Sequence, residues 1–201
     1  CSFMTGWYPH VHGHRSMRNM LKEHETSLLT VLRQEGYYVW WGGKNDLVRV
    51  RRREDYLRYC DEKFWPEGKY SEHMEYKQPP PLAADDPRCG AFYRGILTHD
   101  GEGARHYDQD TAWVLGAVDM IRNRPDDRPF FCYLPLGKPH PAYYAEKDLY
   151  DAINPDNLPP RIPKPDVGAH LPEVLNALRA AYRSDDISEE VWRDVKRIYY
   201  A

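Results

Sequence analysis

The chain has 201 residues, 41% of them hydrophobic, with 16 Tyr and 6 Trp, which is enough apolar material for one substantial core. Its net charge of -3 gives no electrostatic case for binding nucleic acid or an anionic membrane surface. No apolar run approaches the roughly 18 residues that a membrane span requires.

The first element in chain order is a helix expected over His24 to Glu35, carrying the stripe Leu28, Leu29, Val31 and Leu32. Gly36 follows it in the position that favours a left-handed residue. Tyr37-Tyr38-Val39-Trp40-Trp41 then reads as a buried strand, rich in aromatic and β-branched side chains. Gly42-Gly43 stops it and leaves Lys44-Asn45-Asp46 at its C-terminal end. Residues 49–107 carry many turn residues and little periodicity, and read as an irregular insertion with short elements. Insertions of this kind often line a binding cleft.

Order returns with a helix after Asp110, the expected N-cap, with Trp113, Ala117, Met120 and Ile121 on one face. Pro129-Phe130-Phe131-Cys132-Tyr133-Leu134 reads as a second buried strand, which delivers Lys138-Pro139-His140-Pro141. A short helix is expected around Leu171 to Tyr182. A last one follows Ser188, with Val191, Trp192, Val195, Ile198 and Tyr199 inward. Alternating strands and helices point to an α/β fold with a mostly parallel sheet. The two strands are expected to be parallel neighbours, with Lys44 and His140 meeting at the sheet edge where ligands of such folds bind.

Other features weigh less. The cysteines Cys1, Cys60, Cys89 and Cys132 lack C-x-x-C spacing and read as free thiols. Cys132 reads as a small buried hydrophobe. His10, His12 and His14 alternate as zinc ligands on a strand could, but Gly13 and the nearby Arg15 and Arg18 argue against a cation there. Arg49 and Arg51 to Arg53 could meet an anionic substrate, although a charge run is usually a solvated face.

Three segments together resemble the sulfatase family. Ser2-Phe3-Met4-Thr5-Gly6-Trp7-Tyr8-Pro9-His10 resembles the second half of the sulfatase signature, S-F-x-T-G-x-Y-P-H. Glu35-Gly36-Tyr37 with Gly43-Lys44 resembles the family's G-Y…G-K-W-H, and Pro129-Phe130-Phe131…Pro139-His140-Pro141 resembles P-F-F…P-H-x-P. The resemblance implies an alkaline-phosphatase-like α/β/α sandwich, incomplete at both ends. It makes residues 1–201 part of an N-terminal catalytic domain, with 49–107 as the insertion. It also implies a sulfuric-ester hydrolase acting on small-molecule or glycan sulfate esters through a formylglycine hydrate and calcium.

On that resemblance Lys44 contacts a sulfate oxygen and His140 serves the leaving oxygen. Lys138 and Asn45 are further candidates for substrate contact. Asp46 stands where the family has His, so a carboxylate is the candidate base. The cysteine that becomes formylglycine is expected upstream of Cys1, and the calcium ligands outside these residues, so the segment alone is expected to be inactive. Two alternatives stay open: a phosphodiesterase or phosphonate monoester hydrolase of the same superfamily, and a non-catalytic relative that only binds.

Overall fold

The computed structural model describes residues 1–72, 74, 77–98, 107–162 and 172–201. In chain order its elements are α1 (Ser2–Thr5), α2 (Leu28–Gln34), β1 (Tyr38–Trp41), β2 (Glu62–Lys63), β3 (Tyr93–Leu97), α3 (Gln109–Arg122), β4 (Phe130–Tyr133), β5 (Tyr143–Glu146), α4 (Lys147–Ala152), α5 (Glu173–Ala181) and α6 (Glu189–Tyr200). They fall into two units, Cys1–Glu75 with Tyr107–Gly137, and Tyr76–His106 with Lys138–Ala201. No helix among the described residues is long and apolar enough to cross a membrane.

The first unit is built on a parallel sheet in the order β2-β1-β4. Tyr38 to Trp41 pair in register with Phe130 to Tyr133, so the two strands read from the sequence are adjacent and parallel. All four β1 residues are buried, because both faces of the strand are covered. Side chains alternate across a strand. Val39 and Trp41 therefore join Leu29 of α2 and Met4 of α1 on one side. Tyr38 and Trp40 join Ala117 and Met120 of α3 on the other. Helix, sheet and helix thus form three layers around β1.

Helix α2 starts at Leu28, where its apolar stripe begins, rather than at the expected His24. Ser27 and Thr30 form a capping box: the Thr30 amide donates to Ser27 Oγ at 3.4 Å and the Ser27 amide to Thr30 Oγ1 at 2.9 Å. Its end is as expected, with Gly36 at φ +87°. The cap of α3 is Asp108 rather than Asp110, since Asp108 Oδ1 is the oxygen that reaches the Thr111 amide, at 2.9 Å. Asp110 sits in the first turn and accepts the Gly137 amide at 2.8 Å. Ile121 is 49% exposed and leaves the predicted stripe. The buried face runs instead through Trp113, Gly116, Ala117 and Met120, and a Cβ at Gly116 would lie 2.4 Å from the Phe64 ring.

Strand β2 lies in the segment expected to be irregular. It pairs Glu62 with Trp40 and Lys63 with Trp41, and extends the central sheet. The four cysteines are free thiols. Cys60 is fully buried, and burial pushes its thiol up to about 12. Cys132 packs, partly buried, against the α3 side of the sheet.

In the second unit β3 and β5 form a parallel pair with a register shift between Tyr93 and Gly95. Helix α6 begins as expected, with the Val191 amide donating to Ser188 Oγ at 3.3 Å. Val195 is buried beside Ala91 and Ile187, and Ile198 is also buried, whereas Tyr199 is exposed and stands 6.2 Å from the Tyr143 ring. The expected helix near residues 171–182 is α5; Leu171 itself lies outside the described residues.

Candidate functional site

The C-terminal edge of β1 presents Lys44, and its backbone is fixed by neighbours of several kinds. The Gly42 amide donates to the Tyr133 carbonyl at 3.0 Å and the Lys44 amide to the Pro135 carbonyl at 2.9 Å, continuing the ladder beyond β4. Gly43 has φ +67°, and a Cβ there would meet the Pro135 oxygen at 2.0 Å, so only glycine permits this approach. Trp41 Nε1 donates to the Lys44 carbonyl at 3.3 Å. The amide and carbonyl of Lys44 are therefore both held, and the side chain alone is left to respond to an anion.

Asn45 and Asp46 have different environments. Asn45 Oδ1 accepts the Leu47 and Val48 amides, each at 3.0 Å. Its Nδ2 donates to the Val48 carbonyl at 2.8 Å and to the Tyr56 hydroxyl at 3.1 Å. The amide's usual capacity is taken up inside the protein, so contact with a substrate would require one of these bonds to be given up. Asp46 is exposed, and its Oδ2 lies 2.9 Å from Lys44 Nζ. The carboxylate of Asp46 is thus the resting partner of the Lys44 ammonium.

Beneath this loop lies Lys63, which no motif in the sequence singles out. Its Nζ donates to the Gly43 carbonyl at 2.8 Å. The rings of Trp65, Tyr56 and Trp41 stand 5.0, 5.5 and 5.7 Å from the ammonium. Ring faces favour a cation, but burial favours the neutral amine and lowers Lys63 to about 8. The unfolded chain therefore binds more protons than the folded one between about pH 8 and the ordinary lysine value near ~10.4. Stability should rise with pH across that window and stay flat below it. A side-chain nitrogen NMR titration should show Lys63 deprotonating near 8, ahead of the surface lysines; a Lys63 midpoint among theirs contradicts this. The signal in the sequence is indirect: a lysine close to three aromatic positions that only the fold gathers.

Lys138 and His140 belong to the second unit, and both are exposed. His140 Nδ1 lies 2.5 Å from the Pro141 carbonyl. A carbonyl only accepts, so Nδ1 carries the proton and Nε2 is left to exchange protons with a ligand. Lys138 Nζ stands 5.4 Å from the Tyr144 ring.

The three histidines near the N-terminus serve a carboxylate or stack on rings. Buried Glu25 accepts the Lys22 amide at 2.7 Å and lies 3.4 Å from His12 Nδ1 and 3.0 Å from His14 Nε2. Burial alone would raise the Glu25 carboxyl; the Lys22 amide and the His14 ring outweigh it and hold the group below its ordinary value. His12 stacks on Trp7 at 4.1 Å and His10 on Tyr8 at 5.8 Å. Among the described residues no group of three or more His, Cys, Asp or Glu side chains is placed to hold a metal ion. The arginine run divides: Arg52 pairs with Asp55 at 3.3 Å and Arg53 with Glu67 at 2.7 Å. Arg49 and Arg51 instead line a pocket with Arg18.

No curated protein matches the chain. A model of the sulfatase family matches residues 1–190, which takes in the signature-like N-terminal segment, the lysine loop after β1 and the histidine loop after β4. With nearly all of its length matched, and a parallel sheet layered between helices, the chain belongs to the sulfatase family and has that family's alkaline-phosphatase-like α/β fold.

Proposed function

We propose that the protein is a sulfuric-ester hydrolase in which Lys44 and His140 act on the ester and Asp46 handles a proton beside Lys44. The observation that carries this reading is the placement of Lys44. It stands at the C-terminal edge of the central parallel strand, on a backbone fixed by Pro135 and Trp41. That edge is where ligands bind in folds of this class. Sulfuryl transfer leaves most of the charge on the sulfuryl and leaving oxygens. The protein's task is to neutralise one and protonate the other.

In this reading Lys44 neutralises a sulfuryl oxygen. His140, protonated at Nε2 and oriented through Nδ1, gives its proton to the leaving oxygen. Lys138 adds a second positive charge toward the sulfate, and Asn45 holds the loop that carries Lys44 and Asp46. Formylglycine and calcium belong to the proposal through the family resemblance, with the reactive cysteine placed upstream of Cys1. The described residues do not themselves form a calcium site, and each step given to Lys44, Asp46 and His140 rests on those side chains alone.

Asp46 provides the test. An incoming sulfate must share Lys44 with it, since the two side chains are in contact at rest. As a proton acceptor, Asp46 cannot be replaced by an amide, and Asp46→Asn should lower kcat by ~10²–10⁴ with little change in KM. Were Asp46 only a counter-charge, the same variant would keep kcat and bind the anionic substrate more tightly. Steady-state kinetics of the two forms, in protein that carries the nucleophile, separate these outcomes.

A further inference from the structure

A pocket of about 500 Å³ lies in the first unit, lined among others by Arg18, Lys22, Arg49, Arg51 and His14. Two segments far apart in sequence are brought together to make it. The Leu21 amide donates to the Leu47 carbonyl at 2.9 Å, and Leu21 bridges Val48 in parallel. Leu21, Leu47 and Val48 are buried, so the floor is anchored in the core. The Asn45 amide fixes the Val48 backbone from the other side.

The cations of this pocket are unlike the rest of the run to which two of them belong. Arg52 and Arg53 each have a carboxylate partner. Among the described residues no carboxylate pairs with the side chains of Arg18, Arg49 or Arg51. Glu23, on the pocket rim, pairs with Arg58 at 3.2 Å instead. In a chain of net charge -3, three guanidinium groups without a carboxylate partner among the described residues line one concavity, where an anion would relieve their mutual repulsion. His14 in the pocket wall is only 8% exposed, and its Nε2 is already paired with the Glu25 carboxylate at 3.0 Å, so the arginines alone are left to meet a ligand.

We propose that this pocket is an anion subsite for a second sulfate or carboxylate of the substrate, so that the favoured ester is polyanionic, as in a multiply sulfated glycan. The term substrate rests on the hydrolase reading above; the binding of anions by the pocket does not. Arg49 follows Lys44 by five residues, and an extended chain of that length spans at most about 18 Å. A single oligosaccharide can therefore bridge the two.

The test is titration calorimetry of the folded chain with sucrose octasulfate at about 0.15 M salt, where long-range attraction is screened. The triple variant Arg18→Gln, Arg49→Gln, Arg51→Gln should bind at least about tenfold more weakly than the parent. The variant Arg52→Gln, Arg53→Gln, which also loses positive charge, should bind within about twofold of it. These side chains are exposed, and circular dichroism of each variant confirms that folding is intact. Equal losses in the two variants, or no binding by the parent, would overturn the subsite. Failure of the hydrolase reading would show separately, as sulfate-ester turnover indifferent to Lys44→Ala.

Discussion

Replacing Lys44 with alanine, in protein that carries the nucleophile, should lower kcat for a sulfate ester by ~10²–10³, the scale for losing one preorganised charge-stabilising group. The size of the effect follows from how the side chain is held. Its peptide amide and carbonyl are fixed by Pro135 and Trp41, and the Gly43 carbonyl before it by Lys63. Little reorganisation is left for the moment of reaction. KM should change less than kcat, because Asp46 already neutralises the ammonium before the substrate arrives. Lys44→Arg should recover only part of the rate, since a planar fork does not reproduce a compact ammonium. A Lys44→Ala variant with unchanged kcat would remove Lys44 from the mechanism.

His140→Ala should fall within the ~10²–10⁴ range of a lost general acid. Leaving-group chemistry gives the effect a signature that loss of folding would not. A nitrophenyl sulfate expels a stable phenolate and needs little protonation, so the loss should shrink on it. An alkyl sulfate expels a strongly basic oxygen and should show the full loss. Equal losses on both substrates would mean that His140 does not donate the proton. The Nδ1 contact with the Pro141 carbonyl adds a geometric condition, because it leaves Nε2 as the only ring nitrogen open to a ligand.

How much of this is legible in the sequence depends on the range of the forces involved. Strands β1 and β4 are readable because each appears as an apolar, aromatic-rich run following a helix; glycine stops the first. The end of α2 is readable from Gly36. Its start is not, because the Ser27–Thr30 capping box sets it at Leu28, a turn after the expected His24. For the same reason Asp108 displaces Asp110 as the cap of α3: side-chain reach decides a cap, and pattern does not record reach.

Strand β2 leaves no local trace at all. Glu62 and Lys63 become a strand only by pairing with Trp40 and Trp41 across a long connection. Lys63 is hidden with it, since its environment of Trp41, Tyr56 and Trp65 exists only after that pairing. The arginine run is visible as charge. That Arg52 and Arg53 find carboxylates while Arg49 and Arg51 turn to a pocket is a tertiary outcome. That Lys44 follows β1 and His140 comes after β4 is legible because each strand is a recognisable run ahead of a recognisable motif.

The most direct measurement of the central claim compares turnover of 4-nitrophenyl sulfate with turnover of bis(4-nitrophenyl) phosphate and a phenylphosphonate monoester by the same nucleophile-bearing protein, with Lys44→Ala alongside. A sulfuric-ester hydrolase should show the highest kcat/KM on the sulfate, falling ~10²–10³ in the variant. Preference for the phosphate diester or the phosphonate would place the protein among the phosphoryl-transfer members of its superfamily, and no turnover of any of the three would leave it a binding protein; either result contradicts the proposed function.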